Sequence, residues 1–334
     1  MYLQKPHVLV EDLPGIIKPY DLGDIIETTY LGGVPNITFK VTTTRGEFAV
    51  RIANNGYTSV EHLKIEVDLL QYLAKNGFQQ SPRLVIGSDG KFIQHWRGFR
   101  VIVTKFIPGI PGDRIEISTA LCDDVGCSVA KLMRYLSKYK KDIPTSESFF
   151  ARTERMLDIF PISAEKIGWQ IDVGRIISEW HLALMKFEDA SETINFSVLH
   201  SDVWPPNLIC ASDKILGIVD FDDWCYGPSI IELCGPLVEF PMTGNHINQD
   251  LGVALFRGYF AEGGLISSLE EQLIVYGMEM ASISWLACNA LHAVPFDESE
   301  TYLRKILYWS VVSQREEFAS SILACIRSAA ELSR

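Results

Sequence analysis

The segment His200-Ser201-Asp202-Val203-Trp204-Pro205-Pro206-Asn207 sets an aspartate five positions ahead of an asparagine, between the apolar runs Phe196 to Leu199 and Leu208 to Cys210. Thirteen residues past Asn207 a second acidic group, Asp220-Phe221-Asp222-Asp223, closes the apolar run Ile215 to Val219. An Asp that aims a hydroxyl, with an Asn and a second Asp as hard oxygen ligands for magnesium, is the set that phosphoryl transfer from ATP requires. Taken singly, each of these residues is equally at home in a turn. The combination and its spacing carry the chemistry.

Those residues must be held where short strands end. The runs Leu208 to Cys210 and Ile215 to Val219 have hairpin spacing across Ala211-Ser212-Asp213-Lys214, which gathers Asp202, Asn207 and Asp220 around one point. Upstream, Ile25 to Leu31, Ile37 to Thr43 and Glu47 to Ile52 read as three strands joined by Gly32-Gly33-Val34-Pro35-Asn36 and Thr44-Arg45-Gly46. Val60 to Asn76 reads as a helix, with Leu63, Val67, Leu70 and Leu73 on one face and Gly77 at its end. Arg83 to Ile86 and Gly98 to Phe106 are expected to be further strands. Ile107-Pro108-Gly109-Ile110-Pro111-Gly112 is the clearest breaker. Beyond it helical patterns dominate: Thr119 to Tyr139, Val173 to Ala190, Leu269 to Val294 and Glu300 to Ala330. The expectation is an α+β chain of two lobes: residues 1–106 as a nucleotide-binding antiparallel sheet lobe with one helix, 107–112 as a hinge, and 113–334 as a mostly helical catalytic and substrate-binding lobe.

Other residues are candidates for the same chemistry. The glycines of the 32–36 loop permit close backbone approach to phosphates and Asn36 offers a donor, although Gly-Gly turns are also ordinary hairpin connections. Arg51 on the third strand suits the α- and β-phosphates if a helix carboxylate holds it; Glu66 is the first choice and Glu61 the second. The alternative for Arg51 is a surface residue at a strand end. Asp222, Asp223, Trp224, Tyr226 and Glu232 either bind an acceptor's ammonium by charge and cation–π attraction or, for Glu232 and one Asp, buttress a helix starting near Pro228-Ser229. Trp204 either lines the acceptor pocket or packs beside it. His200 reads as structural, its ring bonding backbone around the loop.

The chain has 334 residues, 47% hydrophobic and 22% charged, with a formal net charge of −12. That balance fits a soluble globular protein and argues against a nucleic-acid partner, while favouring a cationic second substrate. Seven scattered cysteines form no C-x-x-C pair and read as buried thiols of a reducing compartment. No apolar stretch reaches membrane-spanning length and the N-terminus has no signal-like core. The expectation is a cytoplasmic monomer or homodimer with no membrane partner, acting on a small-molecule hydroxyl acceptor.

The motif His200-Ser201-Asp202-x-x-x-x-Asn207, followed by Ile218-Val219-Asp220-Phe221-Asp222, resembles that of the aminoglycoside phosphotransferase/choline kinase superfamily. The likeness extends over the Gly loop, Arg51, Glu66 with Leu69 and Leu73, Thr104 to Gly109, and the Gly126-x-x-Val129-Ala130 helix. Tyr20-Asp21-Leu22-Gly23, Gly217 to Phe221 and Tyr302-Leu303-Arg304-Lys305 resemble the branch of bacterial homoserine and hydroxylysine kinases. The resemblance implies a protein-kinase-like fold, ATP and magnesium as cofactors, Asp202 as the catalytic aspartate, and Asn207 and Asp220 as metal ligands. It further implies Gly32, Gly33, Asn36, Arg51, Glu66, Lys105 and Ile107 as nucleotide-binding residues. The acceptor it implies is a small amino-bearing metabolite, with an aminoglycoside-type antibiotic as one alternative and a nucleotide-binding chain that has lost transfer as another. Three positions depart from the family: Ser201 stands where Gly is common, Arg51 where Lys is usual, and Met133 where relatives often carry His. The missing G-x-G-x-x-G loop, H-R-D arginine, and D-F-G and A-P-E segments argue against a protein kinase proper.

Overall fold

The computed structural model describes residues 7–33, 36–56, 58–166, 168–169, 171–243, 246–292, 311–312 and 314–332. It forms two compact units, Met1–Pro108 and Gly109–Arg334.

The first unit is an antiparallel sheet of five strands, β1 (Ile25–Gly32), β2 (Ile37–Thr43), β3 (Gly46–Ala53), β4 (Ile93–Trp96) and β5 (Phe99–Lys105), in the order β1-β2-β3-β5-β4. Strict alternation sets its two faces. Phe39, Val41, Val50, Ile52, Val101 and Val103 point to one side, where Leu13, Ile16 and Ile17 of a short helix α1 (Leu13–Ile17) and Tyr20 complete a core. On the other side Ile102 meets Leu63 and Val67 of helix α2 (Val60–Lys75). Ser59 caps that helix by accepting from the His62 N–H.

One strand lies elsewhere than its sequence suggests. Arg83 to Ile86 makes a single bridge, Leu84 to Thr104, whereas Ile93–Trp96 forms a hairpin with β5. The connecting residues Arg97 and Gly98 both have positive φ, +45° and +85°, as a two-residue hairpin turn demands.

The second unit is mostly helical: α3 (Thr119–Leu136), α4 (Phe149–Leu157), α5 (Phe160–Lys166), α6 (Val173–Asp189), α7 (Ile231–Glu239), α8 (Gln249–Ala261), α9 (Ser268–Leu291) and α10 (Arg315–Leu332). Residues 300–310 of the expected helix, and with them Tyr302 to Lys305, lie outside the described residues. Helices α3 and α8 approach closely because Gly126 and Gly258 sit at their contact, where a Cβ would strike the Leu255 and Asp123 carbonyls respectively. Arg315 ties α10 to Glu279 of α9 and Glu179 of α6. All seven cysteines are free thiols. Among the described residues no helix is long and apolar enough to cross a membrane.

Short strands are set among these helices. Ile110–Pro111 (β6), inside the segment expected to be a hinge, pairs with β8 (Leu208–Ala211), which forms the expected hairpin with β9 (Lys214–Ile218). Phe196–Leu199 (β7) pairs instead with β10 (Cys225–Pro228). The acidic segments therefore lie where β7 ends, where β8 begins and where β9 gives way to β10.

Candidate active site

In the first unit the sheet register explains the charged pair. Arg51 sits opposite Ile102 and alternates with the core residues Val50 and Ile52, so it points toward α2. Its Nη2 donates to both carboxylate oxygens of Glu66, at 2.6 and 2.5 Å. Glu66 is 2% exposed, whereas Glu61, the second choice, is exposed in the first turn of α2. Gly33 adopts φ +113° and a Cβ there would meet the Asn36 carbonyl oxygen at 2.6 Å, so the turn requires glycine; Gly32, at φ +98°, faces open space. Val34 and Pro35 lie outside the described residues.

Two residues expected at the phosphates are engaged otherwise. Asn36 is buried, and its Oδ1 accepts the Asn54 N–H at 2.8 Å, latching the start of β2 to the end of β3. Lys105 pairs with Phe48, three rungs along the strands from Arg51–Ile102, and its Nζ lies 5.8 Å from the Phe48 ring centroid. That spacing is about 10 Å along a strand, so Lys105 is not brought to the Arg51–Glu66 pair. Ile107 is half-buried next to the end of this unit.

In the second unit Asp202 and Asn207 are clamped together. Asn207 Nδ2 donates to the Asp202 carboxylate Oδ2 at 2.6 Å and to its carbonyl oxygen at 3.0 Å. The turn Pro205–Asn207 closes with the Asn207 N–H on the Trp204 carbonyl, and the Asn207 carbonyl accepts the Val219 N–H at 2.9 Å. The loop is thus pinned to the last residue before Asp220. Asp220 itself is exposed, with left-handed φ +67° and ψ +63°, a conformation that Asp tolerates better than most residues.

His200 is fully buried. Its ring Nε2 lies 3.0 Å from the Val219 carbonyl and its Nδ1 takes the Asp202 N–H, which fits a neutral ring protonated at Nε2. Burial pulls its pKa down to about 4, against the opposing Val219 bond and the charges of Asp223 and Asp222. Glu232 Oε2 accepts the backbone N–H of His200 at 2.5 Å and of Ser201 at 3.4 Å. Burial pushes the Glu232 carboxyl up to about 7 even though both amides favour the ionised form.

The Asp202 carboxyl is held well above the usual range, first by loss of solvent and then by the negative charges of Asp223 and Asp222; the hydrogen bond from Asn207 acts the other way. This concentration of carboxylate charge suits a cation. The donor set fits magnesium: with Asn207 Nδ2 committed to Asp202, its Oδ1 is the amide atom left to face a metal, and Asp220 supplies a hard carboxylate oxygen. No group of three or more His, Cys, Asp or Glu side chains is poised for a metal among the described residues, so substrate phosphates and waters would have to complete any coordination shell.

Four residues expected at the acceptor do different work. Trp224 is fully buried and belongs to the core. Glu232 buttresses the 200–207 loop from α7. Asp223 is tied to Arg152 of α4: Nη2 meets its Oδ1 at 2.7 Å, and Nη1 donates to the Asp223 and Trp224 carbonyls at 2.5 and 2.8 Å. Tyr226 stacks on Phe196, at the far end of β7 from His200. Asp222 remains, buried and close enough to raise Asp202. Ser201 adopts the left-handed conformation that glycine favours, φ +61°, and its Oγ donates to the Asp223 carbonyl at 2.6 Å. That bond offsets the roughly 1–2 kcal/mol a side chain costs in the left-handed region. Arg152 was not singled out by sequence; it has no motif, only its place on α4.

The phosphotransferase enzyme family model matches residues 28–269. The chain belongs to that family. It is a small-molecule phosphotransferase of the kinase type, with the fold of that class. A homoserine kinase of Rhodopseudomonas palustris is 25% identical over 65% of this chain, and the match spans 64% of that protein. A homoserine kinase of Brucella canis is 23% identical over 92% of this chain and 94% of its own length. Among solved structures, an amicoumacin kinase in complex with AMP-PNP, Ca2+ and Ami superposes with a TM-score of 0.66 at 14% identity, covering 90% of this chain and 96% of that one. A microcompartment-associated aminopropanol kinase gives 0.65 at 14% identity, covering 94% and 98%.

Proposed function

We propose that this phosphotransferase moves the γ-phosphoryl group of ATP, with magnesium, onto the hydroxyl of a small amino-bearing metabolite, a hydroxy amino acid such as homoserine or an amino alcohol. The observation that carries this reading is the clamp of Asn207 on Asp202 beside Asp220. Asp202 Oδ1 and Oδ2 aim the acceptor hydroxyl and take its proton late in a loose transition state. Asn207 Oδ1 and Asp220 hold the metal, and bound magnesium neutralises charge on the phosphate oxygens. Arg51, fixed by Glu66, binds phosphate in the lobe of residues 1–106; the Gly32–Gly33 turn lies over it, and the 107–112 segment, with Ile107, joins that lobe to 113–334. Asp222 faces the acceptor's ammonium.

The amino-bearing class is supported by the carboxylate charge around Asp202 and by the acceptors in the names of the relatives above. The same carboxylates favour a polycationic antibiotic as the second reading. A coupled ADP-release screen over homoserine, hydroxylysine, 1-amino-2-propanol, ethanolamine and aminoglycosides separates them. The expected result is magnesium-dependent ADP release stimulated by a hydroxy amino acid or amino alcohol. Nucleotide binding with no transfer to any of these acceptors would instead identify a nucleotide-binding scaffold.

A further inference from the structure

Helix α9 is buried along most of its length, yet its last two turns carry a half-buried strip: Ser284, Trp285, Cys288, Asn289 and His292. The strip faces the catalytic loop. Trp285 meets Trp204 edge-on, with ring centroids 6.3 Å apart and planes at 67°. Trp204 stands two residues past Asp202 in the same loop, so its indole lies between that loop and α9. Cys288 and His292 lie on the same side of the helix as Trp285, with Sγ and Nδ1 3.4 Å apart. Both groups feel Asp223, and Cys288 also Asp202. The Thr153 hydroxyl on α4, next to Arg152, meets the Ser284 hydroxyl at 3.1 Å, which fixes this end of α9 against the helix that anchors Asp223.

Partly exposed indoles beside buried carboxylates form a surface for an organic cation: the carboxylates attract it, and the ring faces add cation–π attraction while excluding water. We propose that Trp285 is a specificity-determining residue, forming with Trp204 the wall that holds the acceptor's ammonium group while its hydroxyl lies at Asp202. The inference rests on the reading of Asp202 given above and adds a residue to it. It also separates the aromatic residues by role: Trp224 builds the core, whereas Trp204 and Trp285 meet the acceptor.

The test compares acceptors with and without an ammonium group, two of them on the same three-carbon skeleton. Binding of 1-amino-2-propanol, homoserine and 1,2-propanediol is measured calorimetrically with a non-hydrolysable ATP analogue and magnesium present, and phosphorylation of each is measured in parallel. Trp285→Ala should weaken the ammonium-bearing ligand that the native protein prefers by about tenfold, in line with a cation–π contact of about 1–2 kcal/mol. Trp285→Phe should recover most of that loss, and 1,2-propanediol should shift less than twofold. Equal loss for the charged and neutral ligands, or no change in either, overturns the proposal, as does a native protein that binds neither amine. Absence of phosphoryl transfer with the binding pattern intact would overturn the functional reading and leave the role of Trp285 standing.

Discussion

Two carboxylates, Glu66 in the first unit and Glu232 in the second, are each only 2% exposed, but they are stabilised by different means. Glu66 is bound at both oxygens by the Arg51 guanidinium. Glu232 is held at Oε2 by the backbone amides of His200 and Ser201, while Oε1 is buried without a hydrogen-bond partner among the described residues. A charge-paired carboxylate is held ionised by its partner, and it in turn aims that cation. A carboxylate held by amides fixes the path of a loop and contributes little net charge, since burial favours its protonated form. The first arrangement suits a group that must present a cation to phosphate, the second a group that must keep Asp202 in place.

The largest effect should come from separating the charged pair. Arg51→Met leaves Glu66 buried and uncompensated and should cost about 3–5 kcal/mol of stability in urea unfolding. Arg51→Met with Glu66→Leu should restore most of that stability, yet the KM for ATP should stay at least about tenfold above native, because the phosphate-binding cation is gone. Recovery of nucleotide affinity in the double variant would remove the pair from the nucleotide site.

Glu232→Ala should cost about 2–4 kcal/mol, since two backbone donors lose their acceptor at about 1–3 kcal/mol each. It should also lower kcat by loosening the loop that carries Asp202. Glu232→Gln keeps an oxygen acceptor and should fold and turn over near the native level at pH 6.

A smaller effect is pH-dependent. The Glu232 carboxyl rises from 4.5 when unfolded to about 7 when folded, so the folded state binds more protons between those values. Its contribution to stability is therefore full below about pH 4.5 and is lost as pH rises toward 7. The native protein should lose about 2 kcal/mol relative to Glu232→Gln between pH 5 and pH 7, by the roughly 1.4 kcal/mol per pKa unit of linkage. Parallel stability curves for the two proteins would show that this carboxyl is ionised in both states.

Much of this layout could be read from the chain. The hairpin 208–218 was legible because both runs are apolar and the four-residue gap carries turn residues, and α2 because its apolar positions fall on one face. The strand at 93–96 was hidden: its hairpin turn uses Arg97, a residue with no turn signature, in a left-handed conformation. The pairing of Arg51 with Glu66 over Glu61 was a matter of helical phase, which the strand register then fixed. The acceptor side was least legible. Trp224 and Tyr226 follow Asp220 closely in sequence, but one is interior and the other stacks on Phe196, because the chain turns into β10 there. Arg152 and Trp285 reach the site from α4 and α9 through tertiary packing, which no local pattern records.

The central claim is that Asp202 aims the acceptor hydroxyl and takes no part in holding nucleotide. Asp202→Asn, assayed for ATP affinity and for turnover with the best acceptor, tests it most directly. Unchanged ATP affinity with kcat reduced by about a thousandfold or more is the expected result, the scale of a lost base and positioning group together. Turnover near the native level would contradict it.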